Sequence, residues 1–304
     1  MAMRRDFLLA VMVPVATLAA AAALPARGEG PPVAASAAAL PDLSGIWWHP
    51  SLPGFEPPAS GPGPVTNRSR RNGVSDYDQL VGDYTNPILK PQTAAIVRQF
   101  GELSLKGITY PSPANQCWPE PVPYLFKHMA IEILQQPDRT VMLFNEDHEV
   151  RVTRMNAQHP AKLTPSWHGD AVGHYEGDTL VIDTIGVKTD RPYGMVDLFG
   201  TPYTDRLHVV ERWRLADYEE VKDDIARGAK ENWRPQGPIK TKEYNDKYLQ
   251  ARLTVEDPGA LTAPWSASII YLRDHRDWDE AVCAENRFGF EGDADVPHAQ
   301  KADF

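Results

Sequence analysis

Apolar and polar positions alternate along most of the chain beyond residue 42, and a period of two predicts β-strands. The clearest signal is the segment 168–185, where Glu176-Gly177-Asp178 separates two strand-like runs. Glycine reaches positive φ without a steric penalty, so this tripeptide predicts a tight hairpin turn. The same alternation predicts about nine strands in all, over residues 42–48, 128–136, 140–145, 149–155, 168–175, 179–185, 207–215, 249–256 and 266–272.

Most of these strands are joined by short connections, which favours antiparallel pairing. Many strands with few helices are typical of a barrel or a sandwich. Apolar residues at helical spacing predict one helix over 91–106, with Pro91 in its first turn. We therefore expect a mainly β fold: an antiparallel lipocalin-like β-barrel with one or two peripheral helices and long loops, formed as a single domain over residues 42–304.

Two segments between the strands have other patterns. Residues 50–87 are rich in Pro, Gly and Asn without periodicity, which predicts a long ordered surface loop. Residues 217–246 begin with helical spacing and then become polar and interrupted by Pro. We interpret them as a solvated helical insertion, with a lid over the barrel mouth or an oligomer contact as the alternatives.

Residues 1–26 have the pattern of a secretory signal. Arg4-Arg5 precedes Phe7-Leu8 and an Ala/Val/Leu-rich run, which is typical of twin-arginine export. The apolar run is shorter than the roughly 20 residues that a membrane span needs. Residues 27–41 are predicted to be a flexible lead-in. We expect a periplasmic protein that has no membrane association after cleavage of the signal. The sequence leaves open whether the protein forms a homo-oligomer.

The formal net charge of −10 argues against a nucleic-acid partner, because phosphates require a basic face. The two cysteines, Cys117 and Cys283, are enough for one disulfide in an oxidising compartment. The twin-arginine route exports chains that have already folded in a reducing cytosol. The sequence therefore does not decide whether the two cysteines form this disulfide. Neither cysteine has a CxxC partner, which argues against a thiolate metal site.

One carboxylate falls on an otherwise apolar strand face. Glu211 shares one face of the strand 207–215 with Leu207, Val209, Trp213 and Leu215. A buried carboxylate without a partner is costly, so Glu211 is expected either to form an ion pair that holds the barrel or to have a raised pKa suited to proton transfer. His208 and Arg212 occupy the opposite face of a regular strand, which does not aim them into the same pocket.

His168, Asp170 and His174 share one face of the first hairpin strand and offer the ligands of a metal site. The two imidazoles are six residues apart, roughly 20 Å on an extended strand, which is too far for one ion. We therefore predict no metal. His49 and the segment Glu146-Asp147-His148-Glu149 are expected to be solvated rim groups that a pocket at one barrel end can recruit.

The resemblance to known proteins rests on several short motifs that occur in a fixed order. They are Asp42-Leu43-Ser44-Gly45-Ile46-Trp47, the hairpin from Gly169-Asp170 to Asp183-Thr184, Leu207-His208-Val209-Val210-Glu211-Arg212, Leu253-Thr254-Val255-Glu256-Asp257-Pro258 and Pro264-Trp265. With these motifs the chain resembles a large family of exported proteins from Gram-negative bacteria, mostly without assigned function. It departs from that family in the insertion 217–246 and in Ala284, which replaces a histidine.

The chain is also similar to cofactor-free lyases and decarboxylases that break down lignin-derived aromatic dimers, although no catalytic motif matches residue by residue. This resemblance implies a cofactor-free lyase acting on a small aromatic acid. The chain has no nucleophile elbow, P-loop, dinucleotide fingerprint or HExxH motif, which agrees with that expectation.

Two functions therefore stay open: a decarboxylase-type lyase, and a periplasmic carrier for an apolar or aromatic molecule. Two titratable groups facing each other in a closed pocket would favour the enzyme, and a purely apolar pocket would favour the carrier. The candidate catalytic residues are Glu211, His208 and Asp183. The candidate substrate-binding residues are Arg212, Arg151, Trp47, His49, His168 and Tyr203.

Overall fold

A closed barrel of nine strands forms the body of the protein. The computed structural model describes residues 40–49, 55–146, 149–190, 194–231, 244, 246–275, 278 and 282. The barrel strands are β1 (Gly45–Trp48), β4 (Ala130–Gln135), β5 (Arg139–Phe144), β6 (Val150–Met155), β7 (Asp170–Glu176), β8 (Thr179–Ile185), β9 (His208–Ala216), β10 (Tyr248–Glu256) and β11 (Trp265–Arg273). The short strands β2 (Arg70–Arg71) and β3 (Val74–Ser75) pair with each other outside the barrel.

The strands follow the order β1, β11, β10, β9, β8, β7, β6, β5, β4, and β4 pairs with β1 to close the ring. Every neighbouring pair is antiparallel except β6 and β7, which are parallel. The predicted mainly antiparallel β-barrel is confirmed. The parallel pair requires the segment 156–169 to return from the end of β6 to the start of β7.

The predicted hairpin is formed by β7 and β8. Glu176 pairs with Thr179, so the connection is the two-residue loop Gly177-Asp178, and Gly177 has a φ of +63°. A loop of this length needs positive φ, which glycine adopts without strain. Leu180, Ile182 and Thr184 are completely buried, as the alternation along β8 predicts.

The prediction that β7 includes His168 is wrong. Gly169 has a φ of +71°, and a Cβ on it would lie 2.7 Å from the backbone oxygen of Ile185. This left-handed residue ends the extended backbone, so β7 begins at Asp170. His168 therefore belongs to the turn before β7 and does not share the outer face that carries Asp170 and His174.

The barrel interior is packed with large side chains. Trp47 donates from Nε1 to the oxygen of Leu43, 2.8 Å away, near the end of the barrel where β1 begins and β11 ends. The Arg273 guanidinium lies 4.2 Å over the Trp47 ring and donates to the oxygen of Ser44. Trp47 thus plugs this end, which we call the Trp47 end. Other fully buried interior side chains include Phe126, Phe144, Trp213 and Tyr271.

Two helices lie outside the barrel. The helix α1 (Pro91–Leu105) matches its predicted range. The helix α2 (Tyr218–Glu231) starts the predicted insertion and packs against β3, β10 and β11. Its Val221 is completely buried against the outer faces of β10 and β11, so this helix flanks the barrel wall rather than covering a barrel end. The predicted loop 50–87 contains the β2–β3 hairpin.

Several predictions concern residues outside the described part of the chain. These are the export signal, all but the last two residues of the lead-in, the end of the insertion at 232–243, Asp147 and His148, Ala284, and Cys283. Cys117 is disulfide-bonded. None of the described helices is long and apolar enough to span a membrane.

Candidate functional site

Six ionisable side chains gather at the barrel end opposite the Trp47 end, where β4, β6 and β7 begin. A 3₁₀ turn over Tyr124–Lys127 leads directly into β4, and the β5–β6 connection and the turn before β7 meet it from the other side. The loop before the 3₁₀ turn contributes an additional carboxylate. We call this set the ionic cluster, and it comprises Glu120, Lys127, His128, Glu146, Glu149 and His168.

Four members of the ionic cluster form a closed ring of opposite charges. The Lys127 Nζ lies 3.0 Å from Glu120 Oε1 and 3.1 Å from Glu146 Oε2. The His128 ring bridges the same carboxylates, with Nε2 2.8 Å from Glu120 Oε2 and Nδ1 3.2 Å from Glu146 Oε2. Because the side chains of Lys127, His128 and Glu120 are at most 8% exposed, these charges act with little screening by water.

The ring favours the charged form of its members. Burial alone would lower the pKa of Lys127, but the carboxylates of Glu120 and Glu146 hold that pKa well above its ordinary value. Burial opposes ionisation of Glu146 as well, yet its contacts with His128 and Lys127 lower its pKa to about 2. In His128 the desolvation is outweighed mainly by Glu120, which raises the pKa. Lys127 and Glu146 are therefore ionised at neutral pH.

Glu149 and His168 form a second pair, in which the surroundings favour the neutral form of each group. The His168 Nε2 lies 3.2 Å from Glu149 Oε2, and the backbone N–H of Glu120 donates to Glu149 Oε1 over 2.7 Å. Burial, together with the charge of Glu120, raises the pKa of Glu149 to about 8. Burial and the nearby charge of Arg151 lower the pKa of His168 to about 4. At neutral pH this pair holds a protonated carboxyl beside a neutral imidazole, which can donate and accept a proton.

A cavity of about 380 Å³ adjoins the ionic cluster. Lys127 and Tyr124 belong both to the 3₁₀ turn and to the cavity wall. Because Lys127 is also a member of the ionic cluster, it connects the cavity to that cluster. The cavity is lined by Tyr77, Asp78, Leu80, Ser104, Gly107, Ile108, Thr109, Tyr110, Ser112, Ala114, Asn115, Tyr124, Lys127 and Leu198. Burial raises the pKa of all three tyrosines, so their hydroxyl groups stay neutral. The wall therefore offers aromatic faces, neutral hydroxyl groups, the Lys127 ammonium and the Asp78 carboxylate.

Glu211 lies inside the barrel in a bidentate ion pair with Arg151. Arg151 donates from Nη1 to Glu211 Oε2 over 2.9 Å and from Nη2 to Glu211 Oε1 over 2.6 Å. Trp213 Nε1 donates to the same carboxylate over 3.0 Å, and Arg151 Nη2 also donates to Thr184 Oγ1. Glu211 is fully buried and Arg151 is 1% exposed. Of the two interpretations of Glu211 from sequence, this geometry favours the ion pair that holds the barrel.

The other two candidate catalytic residues lie on the outer surface of the barrel. Asp183 contacts His208 Nε2 through Oδ2 and His159 Nε2 through Oδ1, each over 2.9 Å. His159 Nδ1 lies 2.7 Å from Asp170, which fastens the return segment 156–169 to β7 and β8. His208 and Asp183 are thus brought together with each other but not with Glu211, because they project from the opposite side of the sheet.

The candidate substrate-binding residues are dispersed. Arg212 pairs with Glu176 on the surface over 2.6 Å, and the Tyr203 hydroxyl donates to the backbone oxygen of Lys188. Among these candidates, His168 belongs to the ionic cluster, while Arg151 and Trp47 are core residues.

The expectation of solvated rim groups is wrong for His49 and Glu149. His49 is 1% exposed, lies beside Tyr271 and is 3.5 Å from Glu56. Glu149 is 8% exposed because the β5–β6 connection folds under the loop that carries Glu120. Recruitment of Glu146 and Glu149 by a site at one barrel end agrees with the geometry of the ionic cluster.

The three residues weighed as a metal site face different partners. His168 contacts Glu149, Asp170 contacts Arg154 and His159, and His174 contacts Glu176. Within the described ranges, no group of three or more His, Cys, Asp or Glu residues is arranged to hold a metal ion.

Sequence reasoning missed Glu120 and Lys127 as site residues. Both lie in an irregular stretch before β4, where no periodicity indicates which side chains turn inward. The one available signal is the run of basic residues Lys127-His128 directly before an apolar strand, a position where a buried charge requires a partner.

Comparison of this chain with protein-family models, with curated proteins and with solved structures gives no match.

Proposed function

We propose that this protein is an exported, cofactor-free lyase of the decarboxylase type that acts on a small aromatic acid bound in the cavity. The observation that carries the proposal is the position of Lys127, which lines the cavity and belongs to the ionic cluster. Titratable groups that meet at a pocket favour an enzyme over a carrier, because a carrier needs only shape and apolar contact.

The size and lining of the cavity support an aromatic ligand. A volume of about 380 Å³ lies in the range of small-molecule sites. Tyr77, Tyr110 and Tyr124 supply aromatic faces together with neutral hydroxyl groups that orient polar substituents. The Lys127 ammonium, which Glu120 and Glu146 also contact, is the cation of the lining to which the carboxylate of an acid would bind.

For an acid that contains an aryl ether, the chemistry can proceed without a cofactor. The bond to the carboxyl carbon breaks and releases CO₂, and its electron pair forms a carbon–carbon double bond. The bond between the ether oxygen and the alkyl carbon breaks in the same elimination. The Lys127 ammonium donates a hydrogen bond to the departing phenolate, which takes its proton from solvent. The interaction of an ammonium with this oxygen strengthens as negative charge develops, which lowers the barrier.

The rest of the ionic cluster would act through Lys127. Glu120 and Glu146 hold the ammonium in place, and His128 links the same two carboxylates. The Glu149–His168 pair helps to hold the loop that carries Glu120, because the backbone N–H of Glu120 donates to Glu149 Oε1. These are positioning residues, since none of the five lines the cavity.

The test is turnover of aryl-ether acids by the purified protein, followed as released CO₂ and phenol. Tyr124→Phe removes one cavity hydroxyl and should lower kcat/KM by about tenfold, equivalent to about 1.4 kcal/mol. Tyr203→Phe is the matched control, because its hydroxyl contacts the backbone outside the cavity. Lys127→Met should abolish turnover, with folding checked by circular dichroism.

The alternative function is a periplasmic carrier for the same class of molecule. The aliphatic part of the lining, Leu80, Ile108 and Leu198, favours binding of an apolar ligand without chemistry. Saturable binding of aryl-ether acids without any release of CO₂ would reject the lyase and support the carrier. Equal turnover by the wild-type protein and Lys127→Met would reject the assigned site.

A further inference from the structure

The return segment 156–169 is held to the barrel mainly by polar contacts. It forms neither a helix nor a strand, and every one of its residues is at least partly exposed to solvent. A segment with few buried apolar contacts can open locally while the rest of the fold stays intact. The attachment of the return segment therefore depends on individual hydrogen bonds and ion pairs.

Backbone hydrogen bonds fix the two ends of the return segment. At its start, the Asn156 N–H donates to a β7 carbonyl oxygen over 2.6 Å. Near its other end, the Ser166 N–H donates to the Gly186 oxygen over 3.1 Å, and the Lys188 N–H donates to the Ser166 oxygen over 2.9 Å. Between these two ends, the side chain of His159 contacts both β7 and β8.

The His159 ring has a carboxylate at each of its two nitrogens. Nδ1 lies 2.7 Å from Asp170 Oδ2, and Nε2 lies 2.9 Å from Asp183 Oδ1. An ionised carboxylate only accepts hydrogen bonds, whereas a neutral imidazole has a single N–H. Both contacts are therefore hydrogen bonds only when the His159 ring is protonated, since in the neutral ring one nitrogen lone pair faces a carboxylate.

Neighbouring side chains hold the two carboxylates in place. On β6, Arg154 Nη2 donates to both oxygens of Asp170 over 2.8 Å. On β9, His208 Nε2 lies 2.9 Å from Asp183 Oδ2. The hydrogen bond with His208 is the main cause that lowers the pKa of Asp183, so this carboxylate stays ionised over the range in which histidines titrate. The group that changes its charge in this range is the imidazole.

We propose that His159 is a pH-sensitive latch, which holds the return segment against β7 and β8 while its ring is protonated and releases it when the ring loses its proton. The stabilisation is present at low pH and is lost as the pH rises through the range in which histidines titrate. Because His168 lies in the return segment and contacts Glu149, release of the latch also withdraws an imidazole from the ionic cluster.

His208 responds to pH in the same direction. Its hydrogen bond with Asp183, together with the charge of Glu256 on β10, raises the pKa of His208 above its ordinary value of 6.5. The contribution of this pair to stability is fully present below pH 6.5 and is lost as the pH rises through the raised value. Loss of the His208 charge frees Asp183 from one of its two partners and so loosens the same cluster.

The experiment is hydrogen exchange of the full chain at several pH values, read at the Ser166 and Lys188 amides. After correction for the intrinsic pH dependence of exchange, their protection should fall at least about tenfold between about pH 6 and about pH 9. In His159→Gln the protection should already be low at about pH 6, because the amide side chain carries no charge. The measurement uses no substrate, so its outcome is independent of the proposed lyase activity.

His174→Gln is the matched control, because His174 is an exposed histidine of β7 that contacts Glu176 on its own strand. It should keep the wild-type profile. Asp183→Asn removes one carboxylate of the latch without changing the ring, and it should lower the protection at about pH 6 even if His159→Gln does not fold.

A further control separates the latch from Glu149, whose pKa is raised to about 8 and which contacts His168. Glu149→Gln should keep the pH dependence of exchange at Ser166. A wild-type protein whose corrected protection does not change with pH would overturn the proposal. So would equal profiles of His159→Gln and His174→Gln, or a pH dependence that disappears in Glu149→Gln.

Discussion

The buried pair of Arg151 and Glu211 gives the sharpest prediction about stability. The substitution Glu211→Gln keeps the size of the side chain but removes its charge and replaces one acceptor oxygen by a donor. The arginine then loses a carboxylate that accepts two of its hydrogen bonds, at 2.9 and 2.6 Å, where both side chains are at most 1% exposed. A buried guanidinium without its counter-charge is costly.

The expected loss follows from the number of contacts. Two hydrogen bonds between charged groups contribute roughly 1.5–3 kcal/mol each. Two such bonds sum to about 3–6 kcal/mol. Removal of one partner of a buried ion pair costs about 3–5 kcal/mol, which lies within that range. We therefore expect Glu211→Gln to lower the free energy of unfolding by about 3–5 kcal/mol.

The assay is urea denaturation followed by tryptophan fluorescence, which reports on the buried Trp213. The matched control is Glu176→Gln, which breaks the Glu–Arg pair formed with Arg212, the residue that follows Glu211. Because those side chains are 50% and 45% exposed, the loss should be about 0–1 kcal/mol. The double substitution Arg151→Met with Glu211→Leu should lose less than Glu211→Gln alone, since it leaves no buried charge.

The outcome separates the two interpretations of Glu211. A stable Glu211→Gln variant whose turnover falls at least about tenfold would refute the reasoning and identify a proton-transfer role. A destabilised variant whose folded fraction keeps normal turnover would identify Glu211 as a structural member of the ion pair.

Three further predictions address the site and the export signal. Glu149 has a raised pKa, so its contribution to stability is present at low pH and is lost as the pH rises toward about 8. His168 has a pKa lowered to about 4, so its contribution to stability is instead lost as the pH falls from its ordinary value of 6.5 toward 4. Between pH 6.5 and 8 only the Glu149 effect of this pair remains. The unfolding free energy should therefore decline over that window, and less so in Glu149→Gln, as measured by denaturation at several pH values. Turnover should be unchanged by chelators, because the residues considered for a metal site face separate partners; loss of activity restored by a divalent ion would refute this. Replacement of Arg4 and Arg5 by Lys should retain the precursor in the cytosol, as seen by cell fractionation, and normal periplasmic yield would reject twin-arginine export.

Much of the barrel was predictable because strand signals are local. Alternation over a few residues decides which side chains share a face, and the Gly177-Asp178 turn is specified by the backbone freedom of glycine. The same reasoning placed Glu211 on the buried face of β9 and His208 and Arg212 on the other face, as the structure has them. These statements depend only on neighbours along the chain.

The candidate site was less predictable because it is assembled from distant segments without periodicity. Lys127 comes from a 3₁₀ turn, Glu120 from the loop before it, and Glu149 from the connection between two strands. Because Gly169 has a positive φ and ends the extended backbone, His168 lies in the ionic cluster instead of on the outer face. The alternation of apolar and polar residues does not indicate such a break. Burial of Glu149 likewise depends on a loop that folds over it.

The sequence by itself determined the strands, their faces and the hairpin, since these follow from backbone geometry and from the burial of apolar side chains over short distances. Only the tertiary structure decided that β6 and β7 are parallel, that Arg151 is the partner of Glu211 sixty positions away, and that Lys127 connects a cavity to buried carboxylates. A charge in a low-dielectric interior must find a partner, and closure of the barrel determines which partner lies within reach.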